Sequence, residues 1–258
     1  MATMVTFHAH PDDECISCGG VMRAAADAGH RVVLVVATRG EHGEIVPGVL
    51  TVGETLAERR VRETHDAAAV LGVARVEFLG YTDSGMVGTE TNDAPGSFWS
   101  ADVEEAAERL AAILREEDAE VLTVYDRIGG YGHPDHIQVH RVGRRAGELA
   151  GTARVYEATS NRDEFRRMIE MARATGEDVP DLDSEAFGSP ESALTTRVDV
   201  TPWLAAKREA MRAHRSQIAD DSFFLSLPDD RFALAFGTEW FIRVGGDPAQ
   251  REDTLFPA

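Results

Sequence analysis

Short apolar runs alternate with longer amphipathic segments over roughly the first 160 residues. The run at residues 30–38 is nearly continuous in Val and Leu, which is typical of a strand buried on both faces. Similar runs, rich in strand-forming residues, lie at residues 4–7, 75–81, 119–126 and 153–159. Segments of helical character separate them, at residues 16–29, 56–73, 101–118 and 133–151. This alternation predicts βαβ units, and hence a parallel sheet with right-handed crossovers.

The fold class predicted from this pattern is α/β: a Rossmann-like, mostly parallel sheet flanked by helices, with C-terminal additions. We expect one domain over residues 1–258, with a core over about residues 1–160 and the additions over about residues 161–258. The acidic, Pro- and Gly-punctuated segment at residues 175–192 is expected to be an exposed loop. The segments that follow it are expected to add a strand or a hairpin to the same core.

The formal net charge of −19 excludes classes of partner that require a basic face. Nucleic acids and anionic membrane surfaces both belong to those classes. The sequence contains no stretch that approaches the roughly 20 apolar residues of a membrane span. Its first residues lack a basic region followed by an apolar run. We therefore expect a cytoplasmic protein that acts on a small molecule, and a homo-oligomer is compatible with the sequence.

Four polar loops directly follow predicted strands. The string HPDDE follows the first apolar run, and GGYGHPDH follows the run at residues 119–126. The strings RGEHGE and TDSGM follow two other runs. Because ligands of parallel sheets bind at the carboxyl ends of the strands, we expect these loops to meet at one edge of the sheet.

Two of these loops carry residues that suit a catalytic metal. A catalytic zinc commonly has three protein ligands from His and Asp or Glu, and it lowers the pKa of a bound water to about 7. A further carboxylate beside that water can act as a general base. The candidates for these positions are His10, Asp12, Asp13, His133 and His136. The adjacent aspartates can divide the two tasks, because neighbouring side chains diverge from the backbone.

The second loop places two histidines three residues apart. If a helix begins at Pro134, a favoured first position, His133 lies just outside it and His136 inside it. One histidine can then bind the metal while the other remains free. The free imidazole can stabilise an oxyanion or protonate a leaving amine, and Asp135 can orient it.

These strings together resemble a known family. AHPDDE near the N-terminus and GGYGHPDH in the middle, with RGEHGE, RRVRE and DSGM between them, strongly resemble the PIG-L/LmbE-like zinc-dependent deacetylases. The resemblance covers most of the first 150 residues or so. It is strongest to actinobacterial enzymes that deacetylate a GlcNAc-inositol in mycothiol synthesis, and to a relative that cleaves mycothiol conjugates. It implies a zinc-dependent N-deacetylase acting on an amino sugar, with Fe²⁺ as an alternative metal.

The resemblance also implies a role for each matching residue. The implied metal ligands are His10, Asp13 and His136. Asp12 would be the general base. His133 would stabilise the oxyanion or act as an acid, with Asp135 behind it and Tyr131 nearby. Arg60 and Asp83 match positions that hold substrate hydroxyls.

Other functions are compatible with parts of the same pattern. The same metal site could serve an amidase that cleaves a larger amide, such as a mycothiol S-conjugate. A catalytically silent sugar- or metal-binding module would be expected to have lost Asp12 or a ligand, and neither is lost. A non-haem iron oxygenase and a dinucleotide-binding oxidoreductase fit poorly, because the chain is not β-rich and its first turn carries acids instead of glycines. Cys15 and Cys18 are expected to pack in a helix, since the chain has no second pair of cysteines.

Overall fold

A computed structural model describes residues 1–174 and 187–256, which form one seven-stranded sheet with helices on both faces. The strands lie in the order β3-β2-β1-β4-β5-β7-β6. They are β1 (Thr3–His8), β2 (Arg31–Val36), β3 (Arg75–Phe78), β4 (Val121–Tyr125), β5 (Arg154–Thr159), β6 (Thr196–Asp199) and β7 (Thr238–Arg243). The first five are parallel, whereas β7 is antiparallel to both β5 and β6. The predicted α/β class with a mostly parallel sheet is confirmed.

Ten helices surround the sheet within the described ranges. They are α1 (Asp13–Ser17), α2 (Gly19–Asp27), α3 (Leu56–Leu71), α4 (Val103–Glu116), α5 (Gly129–Gly132), α6 (Pro134–Ala150), α7 (Arg162–Ala174), α8 (Leu204–Ala213), α9 (Phe223–Ser226) and α10 (Asp229–Phe236). Short 3₁₀ turns lie at Glu90–Asp93, Glu191–Ala193 and Thr201–Trp203. None of the helices that the structure describes is both long and apolar enough to cross a lipid bilayer.

The core consists of two apolar layers, one on each face of the sheet. Along β2, Val32, Leu34 and Val36 enter one layer and Val33 and Val35 enter the other, as the two-residue period of a strand requires. The first layer packs against α2, α3 and α8, and the second packs against α4 and α6. Burial on both faces explains why these strands read as continuous apolar runs.

The helix predicted over residues 16–29 is instead two helices that meet at Cys18. The second helix has an N-terminus of its own, because the Glu239 carboxylate accepts the backbone N–H groups of Gly20 and Val21 at 2.8 and 2.9 Å. Glu239 also pairs with the buried Lys207, at 2.5 Å. This capping group comes from β7, so the break depends on a partner distant in sequence.

The C-terminal part of the chain extends the same sheet. The expected additional strand or hairpin is confirmed by β6 and β7, which are antiparallel neighbours. Of the segment at residues 175–192 that we expected to be a loop, residues 175–186 lie outside the described residues. The division of the chain near residue 160 stays a prediction.

Candidate active site and metal centre

The two predicted loops meet beside each other at one edge of the sheet. β1 and β4 are adjacent and parallel, so the residues after His8 and after Tyr125 leave the sheet on the same side. The first loop leads into α1, and the second leads through α5 into α6. Tyr125 also connects β4 to β1, since its hydroxyl lies 2.8 Å from His8 Nδ1. The Tyr125 ring stacks on His136 in α6.

The Asp13 carboxylate lies between the two histidines expected to bind metal. Its Oδ2 is 3.4 Å from His10 Nδ1 and 3.3 Å from His136 Nε2. The same oxygen accepts the backbone N–H of His10 at 2.8 Å, which fixes the shape of the turn. His136 Nε2 is buried and has no hydrogen-bond partner among the described residues. The set of possible ligands is therefore two imidazoles and one carboxylate, and one imidazole nitrogen, His136 Nε2, lacks a partner. This set fits a divalent cation.

The other nitrogen of His10 faces two carboxylates. Its Nε2 is 3.1 Å from Asp135 Oδ2 and 3.4 Å from Asp83 Oδ1. Burial disfavours the imidazolium, but Asp13, Asp135 and Asp83 outweigh this effect and raise the pKa of His10 well above its ordinary value. A histidine whose second nitrogen donates to a carboxylate is the usual arrangement around a metal, because it fixes the ring and its tautomer.

The Asp135 side chain therefore faces His10, whereas the sequence had suggested a position behind His133. Its Oδ2 also accepts the backbone N–H of Ser84 at 2.9 Å. The link between Asp135 and His133 runs through the backbone, since the Asp135 N–H donates to His133 Nδ1 at 3.1 Å. The sequence could not show this contact, because it depends on how the loop after β1 packs against the start of α6.

His133 is the residue that precedes α6, with an extended backbone, and Pro134 occupies the first turn as predicted. Because its Nδ1 accepts a backbone N–H, the neutral ring carries its proton on Nε2. Burial and the neighbouring rings of His10 and His136 lower the pKa of His133 to about 4. The ring is thus neutral at pH 7 and can donate one hydrogen bond from Nε2.

Asp12 is set apart from Asp13 by an unusual backbone. Its φ of 100° lies in a region that non-glycine residues rarely adopt. Burial raises the pKa of Asp12 to about 6, although the guanidinium of Arg60, with Nη2 3.4 Å from Asp12 Oδ2, opposes this rise. A carboxylate with a pKa near neutrality is well suited to general base catalysis.

Arg60 and Asp83, the two expected substrate-binding residues, are both buried beside the turn at residues 10–13. The Arg60 guanidinium donates to the backbone carbonyls of Gly40 and Pro11. Gly40 has a φ of 64°, and a Cβ at this position would collide with that guanidinium. The Asp83 carboxylate accepts the backbone N–H groups of His42 and Gly85 at 3.1 and 2.8 Å. Both side chains thus also hold the loops of the site in place.

Tyr131 lies at the entrance of the site and is half exposed. Its ring centroid is 4.9 Å from that of His136 and 6.2 Å from that of His133. The glycines on either side of it, Gly130 and Gly132, have φ angles of 73° and 91°. These conformations favour glycine and let the loop turn sharply enough to bring Tyr131 over the histidines.

A cavity of about 620 Å³ opens from one side of the site. Asp12, Asp13, Tyr131 and His136 contribute to its wall. The rest of the wall is largely apolar and aromatic, including Phe165, Met168, Phe187, Phe223, Phe224, Phe236 and Trp240. The cavity is therefore much larger than the two-carbon acetyl group requires.

Cys15 lies in α1, and Cys18 lies between α1 and α2. Cys15 and Cys18 are both buried free thiols, and burial raises the pKa of each thiol. A raised pKa makes them poor nucleophiles, which agrees with the expected packing role. Glu14, which completes the HPDDE string, and His214, which directly follows α8, were not among the predicted site residues. These two residues form a buried pair, with Glu14 Oε1 2.6 Å from His214 Nε2.

Comparison with known proteins agrees with this architecture. Residues 5–147 match the family model described as PIG-L, GlcNAc-PI de-N-acetylase. Two relatives are named 1D-myo-inositol 2-acetamido-2-deoxy-alpha-D-glucopyranoside deacetylase. The one from Thermomonospora curvata is 42% identical, over 93% of this chain and 89% of that protein. The one from Acidothermus cellulolyticus is 41% identical, over 98% of this chain and 94% of that protein.

A solved structure shares the fold at lower sequence identity. It is the N,N'-diacetylchitobiose deacetylase from Pyrococcus horikoshii, with a TM-score of 0.60 and 24% identity over 94% of this chain and 83% of that one. The family model covers more than half of the chain, and both relatives exceed 40% identity over nearly all of it. The chain thus belongs to the PIG-L family, as its HPDDE and GGYGHPDH strings had indicated.

Proposed function

We propose that this protein is a zinc-dependent hydrolase that removes the N-acetyl group from an N-acetylglucosamine-type glycoside. Membership of the PIG-L family and the names of its relatives support this reaction. The observation that carries the proposal is the position of Asp13 Oδ2, 3.4 Å from His10 Nδ1 and 3.3 Å from His136 Nε2. In this proposal a small-molecule amino sugar is the substrate.

His10, Asp13 and His136 would hold the metal ion. Such an ion, when bound, lowers the pKa of water and polarises an amide carbonyl. The Asp135 carboxylate would keep the His10 ring in place through the contact of 3.1 Å at Nε2. With Nε2 facing Asp135, Nδ1 is the nitrogen of His10 that would bind the ion, on the side where Asp13 lies.

Asp12 would accept the proton of the attacking water. The carboxylate borders the cavity, so it can reach a water molecule beside the substrate. Its pKa of about 6 leaves the Asp12 carboxyl largely ionised at pH 7. Because this pKa is close to pH 7, the protonated carboxyl formed during the reaction is nearly as stable as the ionised one. Asp12 could then pass this proton to the leaving amine.

His133 would stabilise the oxyanion as a hydrogen-bond donor. Of the two roles that the sequence left open, this one is favoured because the neutral ring keeps its proton on Nε2. One such donor contributes about 10²–10³-fold to turnover in other hydrolases. Tyr131 can add a second donor, since its hydroxyl stays protonated: burial raises the pKa of Tyr131 above its ordinary value.

Arg60 and Asp83 would contact the sugar hydroxyls. Arg60 Nη2 lies 3.4 Å from Asp12 Oδ2, and Asp83 Oδ1 lies 3.4 Å from His10 Nε2, so both side chains border the proposed metal site. This assignment places the sugar on the side of the metal site that faces Arg60 and Asp83. The acyl group then points to the opposite side, toward His136 and Tyr131.

The proposal is tested by measuring amine release from a panel of N-acetylglucosaminides that includes GlcNAc-inositol. Protein stripped of metal should be inactive, and added Zn²⁺ should restore turnover; a parallel arm with Fe²⁺ under anaerobic conditions identifies the better metal. Failure of the metal-loaded protein to release amine from any member of the panel would contradict the proposed reaction.

A second candidate is the hydrolysis of a larger amide, which the apolar cavity favours. The cavity of about 620 Å³ borders His136 and Tyr131, on the side assigned to the acyl group. A glucosaminide carrying N-acetyl, N-butanoyl or N-hexanoyl groups distinguishes the two candidates. A deacetylase should lose activity as the chain lengthens, whereas an amidase for larger amides should gain kcat/KM along the series or act only on a mycothiol S-conjugate.

A further inference from the structure

The backbone of Asp12 is held in a strained conformation. Its φ and ψ are 100° and −29°, and Asp118 is the only other non-glycine residue with a positive φ in the part of the chain that the structure describes. Such a conformation is unfavourable for a non-glycine residue and persists only where surrounding contacts determine it. The contacts that hold the Asp12 backbone therefore also set the direction of its carboxylate.

Glu14 supplies the principal contact to the Asp12 amide. The Asp12 N–H donates to Glu14 Oε2 at 2.9 Å, and the Glu14 side chain is completely buried. The Asp12 carbonyl accepts the N–H groups of Cys15 and Ile16 at 3.2 and 3.3 Å, in the first turn of α1. Both the N–H and the carbonyl of Asp12 are thus hydrogen-bonded, and the bond of the N–H depends on the Glu14 carboxylate alone.

His214 in turn fixes the Glu14 carboxylate from a distant part of the chain. Its Nε2 lies 2.6 Å from Glu14 Oε1, and both side chains have an exposed fraction of 0%. His214 is itself anchored at the end of α8, where its N–H donates to the Met211 carbonyl. Its own carbonyl accepts the N–H of Ile218 at 2.8 Å. The imidazole therefore has little freedom to follow Glu14 if the turn moves.

We propose that His214 and Glu14 are positioning residues that hold Asp12 in the backbone conformation it needs as the general base. The proposal rests on the proposed function, in which Asp12 takes the proton of water. Glu14, Cys15 and His214 also bring three potential ligand atoms within 4.8 Å of one another. Both oxygens of Glu14 are already engaged, by Asp12 and by His214, so a positioning role accounts for the cluster better than a second metal site does.

His214→Ala tests the proposal by separating turnover from binding. We expect kcat to fall about 10- to 100-fold, because a displacement of about 1 Å at a reacting group has effects of this size. KM and the bound zinc per chain should remain within about twofold of the wild type, since no metal ligand is removed. His214→Gln should recover most of the lost kcat, because its amide N–H can donate to the Glu14 carboxylate.

His30→Ala is the matched control for loss of an imidazole. His30 stacks on Phe256 and accepts the Ala2 N–H, at the opposite end of β1 from the site. This variant should lose some stability but keep the wild-type kcat. A similar loss of kcat in His30→Ala and His214→Ala would show that general destabilisation, and not the position of Asp12, causes the effect.

Asp12→Asn provides the test of coupling. If His214 acts through Asp12, then adding His214→Ala to Asp12→Asn should change the residual rate by less than about twofold, because the two changes remove the same function. Equal losses in the two backgrounds would overturn the proposal. Glu14→Gln, which keeps one oxygen and the side-chain size, supplies the same comparison if His214→Ala does not fold.

A crystal structure of His214→Ala tests the positioning without any assay. We expect the φ of Asp12 to leave the positive region and its amide to turn away from Glu14. An unchanged φ near 100° would refute the positioning role even if turnover fell. The two proposals can fail separately. If the wild-type protein were inactive on every glycoside but Asp12 moved in the His214→Ala structure, the proposed reaction would be rejected and the positioning role of His214 would stand.

Discussion

Asp12 and Asp13 are adjacent in the sequence, yet their surroundings give them opposite acid strengths. Burial alone would raise the pKa of both carboxyl groups. At Asp13, His136 and His10 reverse this effect and hold its pKa well below the ordinary value. At Asp12, burial prevails over Arg60 and the pKa rises to about 6. One carboxylate is thus suited to remain ionised as a ligand, and the other to exchange a proton.

Replacement of the general base should abolish turnover but leave the metal bound. Asp12→Asn keeps the shape of the side chain and removes its basicity, so we expect kcat to fall about 10²- to 10⁴-fold. Metal content, measured by inductively coupled plasma mass spectrometry, should remain at the wild-type level.

Asp118→Asn is the control for this change, because Asp118 also has a positive φ, at 48°, but lies exposed between α4 and β4. It should keep full activity. An Asp12→Asn protein with a near-normal rate would show that another group accepts the proton.

Removal of a metal ligand should have the complementary effect. His136→Ala deletes one of the three proposed ligands, so zinc affinity should fall more than about 100-fold, since even the partners of metal ligands contribute 10- to 100-fold. Competition with a chromophoric chelator measures this affinity. His140→Ala, one helical turn further along α6, removes an imidazole that contacts the Tyr125 carbonyl and should leave zinc affinity unchanged.

The meeting of the two loops could be predicted from the sequence, but the direction of several side chains could not. His10, Asp13 and His136 lie close together because the HPDDE and GGYGHPDH strings follow adjacent parallel strands. Their role as metal ligands was implied by the family resemblance and stays a prediction. The contacts of Asp135 with His10 and of Arg60 with backbone carbonyls depend on how separate loops pack. The pairing of Glu14 with His214 spans 200 residues, so no local pattern could reveal it.

At the scale of helices and strands, elements with local capping signals were predicted well. α3 begins at a capping box in which Thr55 and Glu58 bond each other's backbone, and it ends at Gly72 with a φ of 74°. α6 begins at Pro134, as expected of a helix with proline in its first turn. The break at Cys18 was not predicted, because its stabilising group, Glu239, belongs to a strand more than two hundred residues away.

Loss of the cap should destabilise α3, which carries Arg60 to the turn at residues 10–13. Thr55→Ala removes the acceptor of the Glu58 N–H, so we expect the free energy of unfolding to fall by about 1 kcal/mol. Urea denaturation followed by circular dichroism measures this change. Thr51→Ala, an exposed threonine just before the helix, should cost less than about 0.5 kcal/mol; equal losses would indicate that the cap contributes nothing.

At the scale of the whole molecule, ion pairs join a helix to the edge of the sheet that lies opposite the site. Glu117, after α4, accepts hydrogen bonds from Arg31 on β2 at 2.5 Å and from Arg75 on β3 at 2.8 Å. These two arginines, Arg31 foremost, lower the pKa of Glu117 to about 2. The network thus ties a helix to two parallel strands and should stabilise the fold where Glu117 is ionised.

This network makes part of the stability depend on pH. The folded-state pKa of Glu117 lies below its unfolded value of about 4.3, so its contribution is complete above pH 4.3 and is lost as the pH falls toward 2. Glu117→Gln should lower the free energy of unfolding by about 0.5–1 kcal/mol at pH 7, allowing for screening by solvent.

The difference from wild type should be the same at pH 7 and pH 5 and smaller at pH 3, as measured by urea titration. Glu116→Gln, in a more exposed pair with Arg75 at 3.0 Å, is the control and should have little effect at any pH. A difference that grows on acidification would have the wrong sign for this network.

The buried pair between Lys207 and Glu239 has a practical consequence for following the molecule in solution. Lys207 is the only lysine in the sequence, and its side chain has an exposed fraction of 1%. The folded protein therefore offers amine-directed reagents no accessible lysine. Lys207 lies in α8 and pairs with Glu239 in β7, so it can react only when these two elements separate. The rate of covalent labelling at Lys207 would therefore measure local opening of the fold.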